Sequence, residues 1–174
     1  MSQQILSGIG RVLWGQNLAE VDDNGKYSVK IAFEPSDELD SMIKLAEETS
    51  QERFGKVVDL PFKDGNAATD DSGKPWSWTK DKTVIIFRTK IKPSIIGPGG
   101  GADVIDPEDI YNGSYARVVA DFYGWEYQKK KGVSASLHAL QFYKHGDPIG
   151  KRKFDATTAF GAATETGMVS PIDG

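Results

Sequence analysis

Basic and aromatic side chains are concentrated in the second half of the chain, between residues 81 and 153. This segment carries 12 Lys and Arg against 8 Asp and Glu, a net charge of +4, and nine of the 18 aromatic residues. Cations bind the phosphates of a single-stranded nucleic acid, while flat rings stack on its unpaired bases. The pattern therefore indicates a groove for single-stranded nucleic acid, and a basic β-domain with an aromatic core is the alternative.

The run from Ser114 to Tyr127 carries the main candidates, because apolar residues alternate there with aromatic or basic ones. One face of such a strand suits a core and the other suits stacked bases. The first set of predicted groove residues is Arg88, Lys90, Tyr115, Arg117, Tyr123, Trp125, Tyr127, Lys129, Lys130 and Lys131. A secondary set is Lys26, Lys30, Trp76, Trp78, Lys151, Arg152 and Lys153. Trp76 and Trp78 either stack on bases or plug one end of a barrel.

Other chemistry is poorly supported by the residue types. The chain has no Cys and two His, so thiolate nucleophiles, disulfides and sulfur-ligated zinc are excluded. The triplet Gly99-Gly100-Gly101 lacks the Gly-Lys-Ser/Thr of a phosphate-binding loop. We predict no catalytic residue, no metal site and no cofactor. The enzyme alternative is a magnesium-dependent nuclease that uses the acidic cluster Asp103, Asp106, Glu108 and Asp109.

The overall charge of −4 hides this basic segment, because residues 1–80 carry −5 and residues 154–174 carry −3. A length of 174 residues leaves room for one domain with a sizeable core. The N-terminus lacks the basic and apolar regions of a secretory signal, and no apolar run is long enough to span a membrane. We therefore expect a cytoplasmic protein that does not bind membranes.

The elements that position these residues follow from periodicity and turn signals. Ser36 is a helix N-cap and Gly55 a stop, so one helix is predicted over about residues 36–54. Strands are predicted over 10–14, 26–34, 82–91, 114–127 and 133–144, the last with a bulge near 137–140. Asn24-Gly25 predicts a tight hairpin, residues 129–132 a basic turn, and residues 59–81 and 92–107 long loops.

This order of elements lacks alternating βαβ units and so favours a mostly β or α+β fold. We predict an OB-fold-like antiparallel barrel with one inserted helix and long loops, although the pattern alone does not separate it from another small barrel. The domain spans residues 1–153, and residues 154–174 form a flexible, weakly acidic tail.

Several ordered motifs resemble a family of phage-encoded single-stranded DNA-binding proteins. They are Arg11-Val12-Leu13-Trp14, Lys26-Tyr27-Ser28-Val29, Pro35-Ser36-Asp37, Pro61-Phe62-Lys63-Asp64-Gly65-Asn66, Pro107-Glu108-Asp109-Ile110-Tyr111-Asn112-Gly113, Lys131-Gly132-Val133 and the close from Gln141 to Gly150. The resemblance covers about residues 8–160. It implies an OB-fold that binds single-stranded DNA in phage replication and recombination, in the host cytoplasm and without catalysis.

Related phage proteins carry a strongly acidic C-terminal tail that recruits replication proteins. The tail of this chain has only Asp155, Glu165 and Asp173. Recruitment of phage or host replication proteins is therefore an open expectation, as is a monomeric or homodimeric state. A phage structural or assembly protein, whose aromatic face contacts another protein, is the remaining alternative.

Overall fold

The computed structural model describes residues 3–69, 71–101 and 103–149. The elements follow the chain in the order β1 (Ile5–Leu6), β2 (Gly10–Trp14), β3 (Tyr27–Phe33), α1 (Asp37–Phe54), β4 (Phe62–Asp64), β5 (Thr83–Thr89), β6 (Ser94–Ile96), β7 (Tyr115–Tyr127) and β8 (Lys130–Lys144). Short 3-10 helices lie in the connections at Gln16–Leu18, Gly65–Ala67 and Pro107–Asp109.

Five of these strands close into a ring, because each pairs with the next and the last returns to the first. β2 pairs with β3, β3 with β5, β5 with β8, β8 with β7 and β7 with β2. The three shortest strands extend the ring: β1 pairs with β7, β4 with β5 and β6 with β8. A five-stranded ring is the arrangement of the OB-fold, so the predicted fold class is confirmed.

The prediction that all strand pairs are antiparallel is wrong at two places. β5 and β8 run parallel, with Phe87 beside Ala135 and Arg88 beside Ser136, and β6 also runs parallel to β8. The first exception is a geometric necessity. Strand directions that alternate around a closed ring need an even number of strands, so a ring of five contains at least one parallel pair.

The barrel interior is filled by alternate residues of the paired strands. Val29 lies opposite Phe87, and Ile31 lies opposite Ile85; all four are fully buried. The residues between them consequently point outward. The sequence alternation in β3 and β5 thus fixes which side chains reach solvent.

The predicted helix is present and packs against β7 and β8. The Ser36 hydroxyl accepts the backbone N–H of Leu39 at 3.0 Å, which begins the helix, and Gly55 ends it at φ 72°. Leu39 and Met42 are buried on its inner face. Its outer face carries Asp40, Lys44, Glu47, Glu48, Gln51 and Glu52, which are all exposed.

Some connections differ from prediction. The predicted turn at Asn24-Gly25 is present: Gly25 is left-handed at φ 76°, its N–H donates to the Asp22 carbonyl at 3.0 Å, and the Asp22 N–H donates to the Lys26 carbonyl at 2.8 Å. It does not join β2 and β3 as a tight hairpin, because their connection spans residues 15–26. The predicted loops 59–81 and 92–107 contain β4 and β6. Strands of three residues are too short to show a sequence period. β4 forms because it pairs with β5, and β6 because it pairs with β8.

The predicted strand pair at the C-terminal side is a continuous hairpin, β7–β8, with the predicted bulge between Leu137 and Ala139. Its turn consists of Gln128 and Lys129, which are left-handed at φ 48° and 69°. The predicted basic turn at residues 129–132 is therefore placed slightly too late. Lys130 and Lys131 belong to β8.

Candidate nucleic-acid interface

The outward side chains of β3 and β5 form a basic surface that we call the outer face, defined by Ser28, Lys30, Ile86 and Arg88. Ser28 lies opposite Arg88, and Lys30 opposite Ile86. Both cations are exposed, and neither forms an ion pair with another described residue. These two charges are therefore free to meet an anionic ligand.

Neighbouring strands border the outer face on both sides. On one side, Trp14 of β2 pairs with Lys30 and is 45% exposed. On the other side, Ser136 of β8 lies beside Arg88. Farther along this side, Tyr123 of β7 lies opposite Ser134 and is 39% exposed. Aromatic rings thus stand at both borders of a surface whose centre is cationic.

Trp14 is a candidate that sequence reasoning missed. Val12 points inward and is fully buried, so simple alternation would also turn Trp14 inward. The register between β2 and β3 shifts between these two residues, and this bulge turns the indole outward. Its Nε1–H donates to the Asn17 side-chain oxygen at 2.9 Å. No pattern within the strand itself signals a bulge of this kind.

One carboxylate adjoins the outer face. Asp121 of β7 faces Ser136, and its Oδ2 lies 3.1 Å from His138 Nε2. The Asp121 side chain is 14% exposed and that of His138 37% exposed. The imidazole therefore lies against this carboxylate and is the more exposed member of the pair.

A second carboxylate acts on the surface from the connection between β2 and β3. Asp22 Oδ1 accepts the backbone N–H groups of Lys26 and Asn24 at 3.1 and 2.8 Å. These hydrogen bonds, Lys26 first, hold the pKa of Asp22 below its ordinary value, and the charges of Arg88 and Lys26 add to the shift. The carboxylate thus stays ionised near the cations of the outer face.

The predicted residues near the hairpin turn form a second basic and aromatic group. Tyr127 is 66% exposed, and Lys129 and Lys130 are exposed beside it. Trp125 is half-buried and lies against Gly132, where a larger residue would collide with the indole. Lys131 is also half-buried, with Nζ 5.6 Å from the Phe54 ring centroid.

Tyr115 lies at the opposite end of β7, about 40 Å along the strand from Tyr127. It belongs to what we call the Tyr115 cluster, defined by Arg11, Tyr115 and Lys144. The cations of Arg11 and Lys144 lie 5.5 and 5.0 Å from the Tyr115 ring centroid. The ten residues of the first predicted set are therefore not brought together in one place.

The other predicted residues are distributed as follows. Arg117 is half-buried and its Nε donates to Gln141 Oε1 at 2.8 Å, while Gln141 donates to the Gly97 carbonyl. Lys90 is exposed just beyond β5, and Lys26 is half-buried at the start of β3. Lys151, Arg152, Lys153 and the tail 154–174 lie outside the described residues.

Trp76 and Trp78 stack on each other in the connection between β4 and β5, with ring centroids 4.7 Å apart and planes 17° apart. Trp76 is 39% exposed and Trp78 is half-buried. The base of the connection is held by the Gly65 N–H, which donates to the Lys82 carbonyl at 2.8 Å. The pair presents one indole to solvent.

The acidic cluster proposed for a nuclease has structural contacts. Asp103 accepts the Gly99 N–H at 3.0 Å, and Asp106 accepts the Glu108 N–H at 3.0 Å. Among the described residues, no group of three His, Asp or Glu side chains is placed to hold a metal ion. No observation favours the nuclease alternative. In the same part of the chain, no helix is long and apolar enough to cross a membrane.

A five-stranded ring with a basic, aromatic-bordered surface places the chain among OB-fold proteins, the class whose central strands and loops form an oligonucleotide groove. Within this class the chain belongs to the family of the single-stranded DNA-binding protein of Enterobacter phage Enc34, which matches residues 11–169. The family resemblance predicted from sequence motifs is confirmed.

Solved structures support the same fold. The single-stranded DNA-binding protein from bacteriophage Enc34 has a TM-score of 0.68 and 21% identity, over 90% of this chain and 89% of that one. The same protein in complex with single-stranded DNA gives 0.65 and 23%, over 84% and 89%. Gp2.5, a single-stranded DNA-binding protein encoded by bacteriophage T7, gives 0.58 and 15%, over 98% and 100%. No curated protein sequence matches the chain.

Proposed function

We propose that the chain binds single-stranded DNA without sequence preference and protects it during phage DNA replication and recombination. Membership in the Enc34 family supports this function. The observation that carries it here is the outer face, where exposed Lys30 and Arg88 stand between two exposed rings, Trp14 and Tyr123. The protein acts in the host cytoplasm and by binding alone.

The outer face supplies the two kinds of contact that such binding needs. Lys30, Arg88 and Lys90 bind phosphates, and Trp14 and Tyr123 stack on bases. Every nucleotide has a phosphate and a flat base, so these contacts do not depend on sequence. Hydrogen bonds to base edges, which read sequence, are not required.

The hairpin and the Trp pair extend this site. Lys129, Lys130 and Tyr127 contact DNA that leaves the outer face, and the exposed Trp76 is a secondary stacking position. Trp125, Lys131 and Arg117 hold the hairpin and its neighbours in place, because their side chains already contact Gly132, Phe54 and Gln141. Tyr115 supports the fold at the end of the β7–β8 pair that is farthest from the turn.

Partners other than DNA and the oligomeric state remain predictions. The basic residues 151–153 adjoin the domain in sequence and add phosphate contacts in this proposal. In this proposal, residues 154–174 recruit phage or host replication proteins. A monomer or a homodimer carries the outer face equally well.

Quenching of tryptophan fluorescence by oligo-dT of about 15 nucleotides tests the function, since OB folds occupy about 4–16 nucleotides. If about four phosphates are bound, the logarithm of the affinity falls with the logarithm of salt concentration with a slope near −3. Arg88→Ala reduces that slope by about 0.7. Lys44→Ala, which removes an exposed cation of α1, is the matched control and leaves it unchanged.

Absence of both quenching and a mobility shift would contradict single-stranded DNA binding. A slope near zero with intact quenching would contradict the phosphate contacts alone. Equal effects of Arg88→Ala and Lys44→Ala would move the site away from the outer face.

A further inference from the structure

The end of the β7–β8 hairpin extends beyond the barrel as a two-stranded ribbon. Among the described residues, the last strand-like neighbour of this end is Asp59, which bridges to Gly132. Beyond that point, residues 126–131 pair only with one another. At about 3.3 Å per residue, the turn lies about 10 Å past the Asp59 bridge, although the Lys131 side chain still lies near the Phe54 ring of α1. We call residues 126–131 the hairpin tip.

The hairpin tip is held by its turn conformation and by contacts at its base. Its turn residues, Gln128 and Lys129, both adopt the left-handed conformation of a two-residue hairpin turn. At its base, Trp125 lies against Gly132, and the Arg53 guanidinium donates to the Gly124 carbonyl. These contacts hold the backbone of the tip in a defined conformation.

The side chains on the tip combine one exposed ring with exposed cations. Tyr127 is 66% exposed, and Lys130 lies directly opposite it in the ladder. Lys129 is exposed in the turn, and the Gln128 amide donates to the Tyr127 hydroxyl at 3.2 Å. Glu126 is on the other face of the ribbon, because successive strand residues alternate.

The tip lies at one end of the outer face. β8 runs parallel to β5, so the start of β8 is near the Thr83 end of β5, whereas Trp14 is level with Ile86 at the middle of β5 and the loop 15–26 is at the Thr89 end. Nucleotides that lie on the outer face therefore reach the tip only where the strand leaves that face. The Tyr127 ring would therefore contact the DNA that follows the bound nucleotides, whether that DNA is single-stranded or double-stranded.

We propose that the hairpin tip recognises the end of a duplex next to the bound single strand, that is, a single-strand to double-strand junction. This inference rests on the proposed function. A terminal base pair offers a flat surface two bases wide for Tyr127, and its two backbones bring phosphates to Lys129 and Lys130. Duplex DNA also carries charge more densely than a single strand, which favours two adjacent cations.

The test compares the affinity of the full chain for three labelled DNAs by fluorescence anisotropy. One is oligo-dT of about ten nucleotides, within the size range of one OB fold. The others join the same oligo-dT to a hairpin duplex, through its 5′ end in one and its 3′ end in the other. The unaltered protein binds one of the two junctions about tenfold more tightly than oligo-dT.

Tyr127→Ala abolishes this preference because it weakens junction binding by a larger factor than oligo-dT binding, whereas Tyr127→Phe retains the preference. Tyr143→Ala, which removes another exposed tyrosine from the far end of β8, is the matched control and retains it too. 2-Aminopurine at the terminal base pair loses fluorescence on binding the unaltered protein but not Tyr127→Ala.

Equal affinity of the unaltered protein for all three DNAs would overturn the junction proposal. So would a Tyr127→Ala variant that weakens oligo-dT and junction binding by the same factor, because the ring would then stack on single-stranded bases. Failure to bind any of the three DNAs would instead contradict the proposed function.

Discussion

The outer face and the Tyr115 cluster contain the same residue types in different states. In the Tyr115 cluster, Arg11 donates to the Asp147 carbonyl at 2.6 Å and to the Gly113 carbonyl at 3.2 Å, and its guanidinium lies near the Tyr115 ring. On the outer face, Lys30 and Arg88 form no ion pair with described residues, and Trp14 is 45% exposed. The Arg11 guanidinium of the Tyr115 cluster already has hydrogen-bond acceptors within the protein, whereas the two cations of the outer face have no ion-pair partner among the described residues.

A cation beside an aromatic ring therefore indicates a ligand site only when neither group is already engaged in contacts within the protein. A guanidinium that already bonds two carbonyls stabilises the fold, and it must break those bonds to reach a phosphate. Lys30 and Arg88 form no ion pair with a described residue and give up fewer contacts to reach a phosphate, although the Asp22 charge also acts on Arg88. We therefore propose that DNA binds the outer face and that the Tyr115 cluster stabilises the fold.

Arg88→Glu is expected to have the largest effect on binding. It removes a charge-assisted phosphate contact of about 1.5–3 kcal/mol and adds repulsion, so oligo-dT affinity falls at least tenfold. Thermal stability changes little because Arg88 is exposed. Fluorescence anisotropy and thermal unfolding measure the two quantities on the same protein.

Arg11→Ala is the counterpart in the Tyr115 cluster. It lowers the unfolding temperature, because the carbonyls of Gly113 and Asp147 lose their side-chain donor, and it changes oligo-dT affinity less than twofold. If Arg11→Ala instead impairs binding as much as Arg88→Glu, the distinction between the two regions is wrong.

Trp14→Ala is expected to reduce oligo-dT affinity about tenfold, since a base stacked on an aromatic ring contributes about 1–3 kcal/mol. Tyr115→Ala reduces stability and leaves affinity within a factor of two, because two cations already lie near its ring. Quenching by oligo-dT also weakens in Trp14→Ala. Unchanged quenching in that variant would remove Trp14 from the site.

The sequence was sufficient to predict the elements whose signals are local. Ser36 and Gly55 delimit α1, and the alternation of β7 predicts its two faces. Strands β1, β4 and β6 were missed because two or three residues show no period. The parallel β5–β8 pair follows from closing five strands into a ring, which no single segment reveals.

The candidate site was predicted in part for the same reason. Arg88 and Lys30 follow from alternation in β5 and β3, and both are exposed. Trp14 was missed because a bulge set by pairing with β3 reverses its direction. The sequence also does not show that Lys144 and Arg11 come together on the Tyr115 ring.

His138→Ala is expected to weaken oligo-dT binding about threefold. The variant leaves the Asp121 carboxylate without its partner beside Ser136 of the outer-face border, and exposed pairs of this kind contribute up to about 1 kcal/mol. His138→Lys places a cation beside the carboxylate and raises the affinity above that of His138→Ala. Equal affinities of all three proteins would show that DNA does not pass near Asp121.

Asp22→Asn is expected to give the smallest effect and the opposite sign. It removes a negative charge near Arg88 and Lys26 but keeps an oxygen that accepts the same two N–H groups, so oligo-dT affinity rises by up to about twofold at low salt. A rise that persists at high salt would contradict an electrostatic cause.

The same variant has a signature in pH. Because hydrogen bonds from Lys26 and Asn24 lower the Asp22 pKa in the folded state, its ionised form stabilises the fold above the ordinary pKa of the group. That stability is lost as pH falls through the lowered pKa. The unfolding temperature of Asp22→Asn therefore falls less at acid pH than that of the unaltered protein. An identical dependence on pH in the two proteins would show that the charge of Asp22 does not stabilise the turn that holds it near Arg88.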